Sequence, residues 1–456
     1  MNPPSYPPHV EPIIGADVSV ELANRRIADT VFHWPAPRGW WLGFTLSFAG
    51  TMLLLVAVLW LFTHCVGIWG VNIPVAWAFA IVNFVTWIGI GHAGTFISAF
   101  LLLLHQEWRA SINRLTEAVT LFAVSCAGIM PVLHLGRPIY AYWVLPYPDT
   151  MGLWPQFRSP LTWDCFAVAT YLIVSFVFWY VGIMPDLATM RDRAPSRRLA
   201  RFYGILCLGW RGAGRHWANY RRLYITMAGL LTPLIISVES IVSLDFAATI
   251  VPGWHESILP PYFVTGAIYS GFAMMLVIAI PFRAACGLKD FITTRHLELM
   301  ALMMLVTALI LDYCYFSVFF AAWWSGDIYE RYTDLNRALG AYAPWFWMKM
   351  GFNLLLPQLL WIRRLRRNPV FLWIASIFIL VGIWVENFVI IVVSLHRDYM
   401  PSEWHNYRPT FWDFATLFGS VGLFFTMVFV FLRVLPAINM AEVRQLASIR
   451  RGEARS

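Results

Sequence analysis

The chain has 456 residues, of which 59% are hydrophobic and 13% are charged. Soluble domains have about 25% charged residues, so this composition excludes an ordinary soluble protein. Repeated apolar stretches of roughly 18 residues or more indicate an all-α polytopic membrane protein. The net charge of +8 does not indicate a nucleic-acid partner, because the basic residues are distributed as membrane topology requires.

Ten apolar stretches are expected to cross the membrane. In chain order they cover residues 40–64, 76–104, 116–133, 161–184, 222–244, 262–286, 296–323, 342–362, 370–394 and 411–434. Segments on the N-terminal side of these helices carry 26 Lys and Arg residues and the opposite loops carry 6, while Lys349 lies inside a predicted helix. This asymmetry predicts that both termini are cytoplasmic, in the inner membrane of a bacterium.

The chain has a weak internal repeat with a period of four helices. Arg114-x-x-Glu117 begins the third helix and Arg295-x-x-Glu298 begins the seventh, while Glu239 and Glu386 share the pattern Val-Glu-x-x-Val. The repeat predicts two four-helix bundles flanked by helices 1 and 10. Coincidence among apolar helices is the alternative.

The predicted organisation therefore has a membrane domain between two cytoplasmic segments. The N-terminal segment is residues 1–39, the ten-helix domain is 40–434, and the C-terminal tail is 435–456. Within the domain, helices 2–5 (76–244) form the first bundle and helices 6–9 (262–394) form the second.

Three ionisable residues lie at the same end of three different predicted helices. His134 ends the third helix, Asp164 opens the fourth, and Asp245 ends the fifth. Charged groups at membrane depth cost roughly 2.5–3.5 kcal/mol on insertion scales, which makes these residues functional candidates. Taken singly, His134 also fits an ordinary interfacial histidine. Asp164 also fits an acidic residue in a first helical turn, after a Ser159 cap.

A site that oxidises a quinol needs groups of this kind. A neutral imidazole accepts a proton from one hydroxyl, and carboxylates orient the imidazole and take the second proton. We therefore predict His134, Asp164 and Asp245 as catalytic residues. Arg137 and Tyr142, in the Pro-, Tyr- and Trp-rich loop 134–160, are predicted to bind the substrate.

Other polar residues lie deeper in the predicted helices. They form a candidate proton path, with ordinary interhelical pairs as the alternative. These residues are His92, Glu239, Asp312, Lys349 and Glu386.

The sequence does not predict a redox metal in this chain. A bis-histidine haem needs two inward-facing histidines, and His92 is the only histidine near the middle of a predicted helix. The six cysteines are scattered without a CxxC motif, which is unlike an iron–sulfur site. If the chain oxidises a quinol, the electrons must pass to another polypeptide.

Two motifs carry a resemblance to a known family. The run His134-Leu-Gly-Arg-Pro and the later Phe157-Arg-Ser-Pro-Leu-Thr-Trp-Asp164 resemble the NrfD/polysulfide-reductase membrane subunits, as does the segment that starts Pro185-Asp-Leu-Ala-Thr-Met-Arg. Within that family, they are most similar to the ActC-type subunits of bacterial alternative complex III. The resemblance covers about residues 40–435.

The resemblance implies menaquinol oxidation near the periplasmic face, with no cofactor bound by this chain. His134, Asp164 and Asp245 match the quinol-site positions of the family, and Glu239, His92 and Glu386 match its suggested proton route. The implied partners are c-type cytochrome subunits, an ActB-like iron–sulfur subunit, an ActF-like membrane subunit and a terminal oxidase, within the membrane lipids.

Two other interpretations remain open. The chain fits an ActF-like structural or proton-conducting sister subunit that has no quinol site. It also fits an unrelated secondary transporter, although the Gly- or Pro-broken helices in mid-membrane that form such sites are not evident.

Overall fold

The computed structural model describes residues 13–15, 18–32, 38–144 and 159–451, and all regular structure in these ranges is helical. Nine helices in this part of the chain are long and apolar enough to cross a membrane. The predicted all-α, multi-pass membrane fold is therefore confirmed.

We number the membrane helices α1 to α10. The nine regular ones are α1 (Arg38–His64), α2 (Phe79–Leu103), α3 (Asn113–His134), α4 (Pro160–Arg193), α5 (Gly214–Ala247), α6 (Leu259–Ala285), α7 (Thr294–Ser325), α9 (Pro369–Leu395) and α10 (Phe411–Val434). Successive helices run in opposite directions. We call the side where α3 ends the His134 side, and the other side the arginine-rich side.

The predicted helix at 342–362 differs from the other nine. This helix, α8, consists of an α-helix Ala343–Lys349, a π-helix Met350–Leu355 and a 3₁₀-helix Leu356–Trp361. Pro357 lacks the N–H that a continuing α-helix needs. No part of α8 is a long regular helix. For this reason nine helices of the described chain, rather than the ten predicted, are each long and apolar enough to cross a membrane.

Helix α2 is the centre of the fold, and nearly all of its side chains are buried. It packs against α3, α5, α6, α9 and α10. Glycines allow this close approach: a Cβ at Gly94 would lie 2.1 Å from the carbonyl oxygen of Thr116 on α3, and a Cβ at Gly271 on α6 would lie 2.0 Å from Cβ of Ala93. Small residues are the usual means by which membrane helices pack closely.

Helix α1 packs mainly against α10. Gly50 faces Gly422, and Oγ1 of Thr51 lies 2.9 Å from Oγ1 of Thr426. Most other side chains of α1 point outward, for example Leu46, which is 65% exposed. The first and last membrane helices therefore form a pair at the edge of the protein.

The remaining helices form two neighbouring groups. In the first, α2 to α5 pack in sequence and α5 returns to α2; in the second, α6 contacts α7 and α9, and α8 lies against α7 and α9. The two groups meet through α2, α5 and α6. This packing agrees with the two predicted bundles, but the division of the chain into these domains stays a prediction.

Two amphipathic helices that we did not predict lie on the arginine-rich side. Val20–Phe32 packs against Met440–Arg451, and the buried face of the first includes Ala23 and Ile27. Arg193 of α4 donates hydrogen bonds to Glu21, at 2.7 and 2.8 Å. Parts of the N-terminal segment and of the C-terminal tail are thus joined in one layer beside the membrane helices.

Candidate functional site

His134 is the last residue of α3 and is half-buried. After it, Gly136 takes a positive φ of 68°, and a Cβ at this position would lie 2.7 Å from Cγ1 of Val66. Only glycine adopts this turn without strain, so the turn fixes the direction of the chain after the helix. Within the described residues, Nδ1 of His134 is buried and has no hydrogen-bond partner. This nitrogen is thus available for a ligand.

The carboxyl groups of Asp164 and Asp245 are close neighbours. Their residues are 6% and 7% exposed, and the Oδ1 atom of each is buried without a partner in the described part of the chain. A hydrogen bond between two carboxyl groups requires a proton on one of them. Each carboxyl group has an acceptor atom that remains free, so the pair is able to take up a proton and share it.

The position of Asp164 differs in one respect from our expectation. Helix α4 begins at Pro160, and Ser159 makes no side-chain capping hydrogen bond. Asp164 is consequently in the second turn rather than the first, and its partner is Asp245 rather than the start of its own helix. Ser159 does take the N-cap position, as expected, but the expectation that Asp164 lies in the first turn is wrong.

His134 lies at a helix end on the same side of the protein as the carboxyl pair, but no hydrogen bond or ion pair joins it to Asp164 or Asp245 in the described ranges. Arg137 donates a hydrogen bond from Nε to Sγ of Cys65, at 3.5 Å, and Tyr142 is 54% exposed. Tyr142 lies in the 3₁₀-helix Pro138–Val144, which packs against α3 and α4. Most of the predicted aromatic loop, residues 145–158, lies outside the described residues.

A buried chain of polar groups leads inward from the carboxyl pair. Glu239 is six residues before Asp245 on α5, or roughly 9 Å along the helix. Its Oε1 lies 3.9 Å from Nδ1 of His92, and its Oε2 has no partner among the described residues. The ring of His92 stacks on Tyr171 with 4.6 Å between centroids. Three helices thus bring together two of the predicted proton-path residues.

A second polar cluster surrounds Glu386 on α9. Its Oε2 accepts hydrogen bonds from Tyr315 and from Nδ2 of Asn353. Nζ of Lys349 lies 4.1 Å from the ring centroid of Tyr315 and donates a hydrogen bond to the hydroxyl of Tyr262, at 3.3 Å. Lys349 and Glu386 therefore belong to one cluster.

Asp312 makes no hydrogen bond to this cluster in the described residues, and its Oδ2 accepts one from Gln358. A small cavity of about 20 Å³ connects the two groups of helices. Glu239 and Glu386 both line this cavity. A cavity of this volume holds roughly one water molecule.

The central part of the chain matches a known family. A family model described as "Polysulphide reductase, NrfD" matches residues 69–397, which run from just before α2 to just after α9. The chain belongs to the NrfD family. The helix pair α1–α10 lies largely outside the matched region.

Two relatives of this NrfD-family chain are components of reductases by name. A putative dimethyl sulfoxide reductase membrane subunit of Halobacterium salinarum is 28% identical over 207 residues, or 45% of this chain and 43% of that protein. A selenate reductase subunit of Mesobacillus selenatarsenatis is 20% identical over 391 residues, or 81% of this chain and 88% of that protein. The chain therefore matches less than half of the first relative and most of the second.

The sequence analysis of this NrfD-family chain missed several polar partners. Tyr171, Tyr262 and Tyr315 lie in apolar helices, where tyrosine usually indicates packing, and only the structure shows what their hydroxyls contact. The predicted pair Arg114–Glu117 forms at 2.8 Å, but Arg114 also donates from Nε to Asp186 at 3.0 Å. The motif around Asp186 had carried the family resemblance, and its contact with Arg114 gives that motif a structural role.

Proposed function

We propose that this chain is the quinol-oxidising membrane subunit of a respiratory quinol:electron-acceptor oxidoreductase, with menaquinol as substrate. The observation that carries the proposal is the buried pair of neighbouring carboxyl groups, Asp164 and Asp245, at helix ends on the same side of the protein as His134. Membership of the NrfD family and the reductase names of its relatives support a redox role.

The proposed reaction removes two electrons and two protons from the quinol and leaves the quinone. One hydroxyl donates a hydrogen bond to the unpartnered Nδ1 of His134, which then takes its proton as a general base. The carboxyl pair accepts the second proton on a free Oδ1. Arg137 and Tyr142 hold the substrate at the rim. Both electrons leave to a metal cluster of a partner subunit.

The proposed partners follow from this route. The electrons enter an ActB-like iron–sulfur subunit on the periplasmic side and continue to c-type haem subunits and a terminal oxidase. An ActF-like subunit is the membrane neighbour. In this arrangement the chain lies in a bacterial inner membrane with both termini cytoplasmic, and binds no cofactor of its own.

Proton translocation is a finer part of the proposal. The contact between Glu239 and His92, and the small cavity that Glu239 shares with Glu386, support a route between the two groups of helices. One water in this cavity would bridge the two carboxyl groups. Asp312 and Lys349 are less directly connected to this route.

The alternative is an ActF-like sister subunit, in which the same fold conducts protons or supports the complex without oxidising quinol. The contact between Glu239 and His92 would serve that role equally well. A secondary transporter is the third interpretation, and uptake of a solute by the purified chain would support it instead.

Substitution of the carboxyl pair in the assembled complex tests the proposal. The variants Asp164→Asn, Asp245→Asn and His134→Gln should each lower quinol-dependent reduction of the electron acceptor by about 10²-fold or more, the usual contribution of a general acid or base. Reduction of the acceptor by an artificial donor that bypasses this subunit should be unchanged.

The matched control is Asp192→Asn. Asp192 lies on the same helix as Asp164 but at its other end, and its side chain is 64% exposed. This variant should retain normal activity. If Asp164→Asn and Asp245→Asn assemble and still admit electrons from quinol at the normal rate, the site is elsewhere and the sister-subunit interpretation is preferred.

A further inference from the structure

A cavity of about 400 Å³ lies in the second group of helices, away from the Asp164–Asp245 pair. Helices α6, α7, α8 and α9 line it, together with the segments that follow α5 and α7. Its volume is within the range of sites that bind small organic ligands. The π-helix Met350–Leu355 forms part of its wall, and π turns often occur at functional sites.

The wall of this cavity is mainly aromatic and aliphatic, and part of it faces outward from the helix bundle. Phe316 on α7 is 64% exposed and Trp347 on α8 is 59% exposed, so both line the cavity while they remain accessible from the lipid side. An occupant can therefore enter sideways from the bilayer, between α7 and α8.

The cavity also has a small number of polar groups. Nζ of Lys349 makes one hydrogen bond within the described residues, to Tyr262, which leaves N–H groups for a ligand. Asp312, on α7, also lines the cavity. Its Oδ2 accepts a hydrogen bond from Gln358, whereas its Oδ1 is buried and unpartnered in the described part of the chain. A donor and an acceptor thus line the same apolar cavity.

These features distinguish between different occupants. A phosphate headgroup does not fit, because three acidic residues, Glu256, Asp312 and Asp334, line the cavity. Of the two basic residues there, Arg337 is paired with Asp334 at 3.3 Å. A lipid acyl chain would leave the free atoms of Lys349 and Asp312 without partners, which costs free energy in a buried site.

We propose that this cavity binds the ring of an isoprenoid quinone or quinol, as a second site separate from the one at Asp164 and Asp245. Lys349 donates a hydrogen bond to one ring oxygen, and Asp312 accepts one from a ring hydroxyl. The aromatic wall stacks against the ring, and the isoprenoid tail leaves between α7 and α8 into the lipid. The proposal concerns binding and does not require that the first site oxidise quinol.

Photo-crosslinking of an azido-naphthoquinone to the purified complex, followed by peptide mapping, tests this proposal. In the unaltered protein, crosslinks should appear in peptides from α7 and α8. Lys349→Met and Asp312→Asn should each lower the yield there by about tenfold, because each removes a hydrogen bond to a charged group. The yield near Asp164 should remain unchanged, so failure of one site is distinguishable from failure of the other.

Two further variants keep the test decisive if Lys349→Met does not fold. Leu354→Trp fills the cavity from its wall and should abolish the same crosslinks without removal of a charge. Tyr313→Phe is the matched control, since Tyr313 adjoins Asp312 but is 64% exposed and does not line the cavity. Absence of α7 and α8 crosslinks in the unaltered protein, or their persistence in Leu354→Trp, would overturn the proposal. Recovery of a bound phospholipid from this cavity would also overturn it.

Discussion

Glu239 on α5 and Glu386 on α9 line one small cavity of about 20 Å³, although 146 residues separate them in the sequence. Each glutamate contacts polar side chains of its own group of helices. Glu239 lies beside His92, and Glu386 accepts hydrogen bonds from Tyr315 and Asn353. The two acidic residues of the sequence repeat therefore meet where the two groups of helices join.

This relationship predicts an effect on proton coupling. Glu239→Gln and Glu386→Gln should each lower the number of protons taken up from the cytoplasmic side per electron, while electron transfer continues. Gln keeps the shape of the side chain but does not exchange a proton. Proton uptake by proteoliposomes during turnover is the measurement. Glu403→Gln, at an exposed position, is the control, and an unchanged proton-to-electron ratio in both buried variants would remove the route.

The burial of Arg114 predicts a large loss of stability when this residue is replaced. It is fully buried between Glu117 and Asp186, so Arg114→Met would leave two buried carboxylates without their cation. The expected cost is about 3–5 kcal/mol, which is typical when one partner of a buried ion pair is removed. Thermal unfolding in detergent measures it.

The other half of the repeat provides the control. Arg295→Met should cost much less, because the side chain of Arg295 is 31% exposed and three further arginines lie within 4 Å of Glu298. Equal losses in the two variants would contradict the structural difference between these repeated pairs.

The close packing at Gly94 predicts that a larger residue at this position destabilises the protein. A methyl group there would lie 2.1 Å from the carbonyl oxygen of Thr116, so Gly94→Ala must separate α2 from α3. Overpacking of this kind costs about 1–3 kcal/mol. Gly128→Ala is the matched control on α3, because no atom lies within 4 Å of the added methyl group. That variant should be neutral or stabilising by up to about 1 kcal/mol. The comparison is made by thermal unfolding of both variants.

Glu256 predicts a pH dependence of stability. Burial raises its pKa to about 7, and repulsion from Glu330 and Asp334 adds to the effect while attraction by Arg337 opposes it. Because the folded state holds the proton more tightly than the unfolded state, this group stabilises the fold at low pH. The contribution is lost as the pH rises from about 4.5 through 7.

Glu256→Gln should remove this dependence. The variant should melt about 1–2 °C higher than the unaltered protein near pH 8, and the difference should disappear near pH 5. Melting curves of both proteins at the two pH values provide the comparison. A difference that is the same at both pH values would show that Glu256 does not titrate in this range.

Hydropathy was sufficient to predict the fold class, because each membrane helix needs about 20 apolar residues and such stretches can be recognised in the sequence. The depth of the site residues was also predictable, since His134, Asp164 and Asp245 lie at helix ends on one side. Lateral contacts were not predictable. The approach of Asp164 to Asp245, and of Glu239 to His92, depends on how each helix is rotated about its axis and on which helices pack against each other.

The irregular backbone of α8 was the other feature that could not be predicted from the sequence. Gly351 and Pro357 are visible within the predicted eighth helix, but nothing in the sequence showed that this helix changes to a π-helix and then to a 3₁₀-helix. The cavity between α7 and α8 depends on that change together with the packing of two separate helices. The sequence therefore identified Lys349 and Asp312 as unusual without showing that they line one cavity.

The pairing of α1 with α10 has a consequence for biosynthesis. The ribosome synthesises α1 before the other membrane helices. The surface of α10 around Gly422, against which Gly50 packs, is synthesised more than 370 residues later. Until then α1 is held in the bilayer mainly by its own hydrophobicity. Because Gly422 follows the matched family region in the chain, this outer pair cannot close until that region has been synthesised.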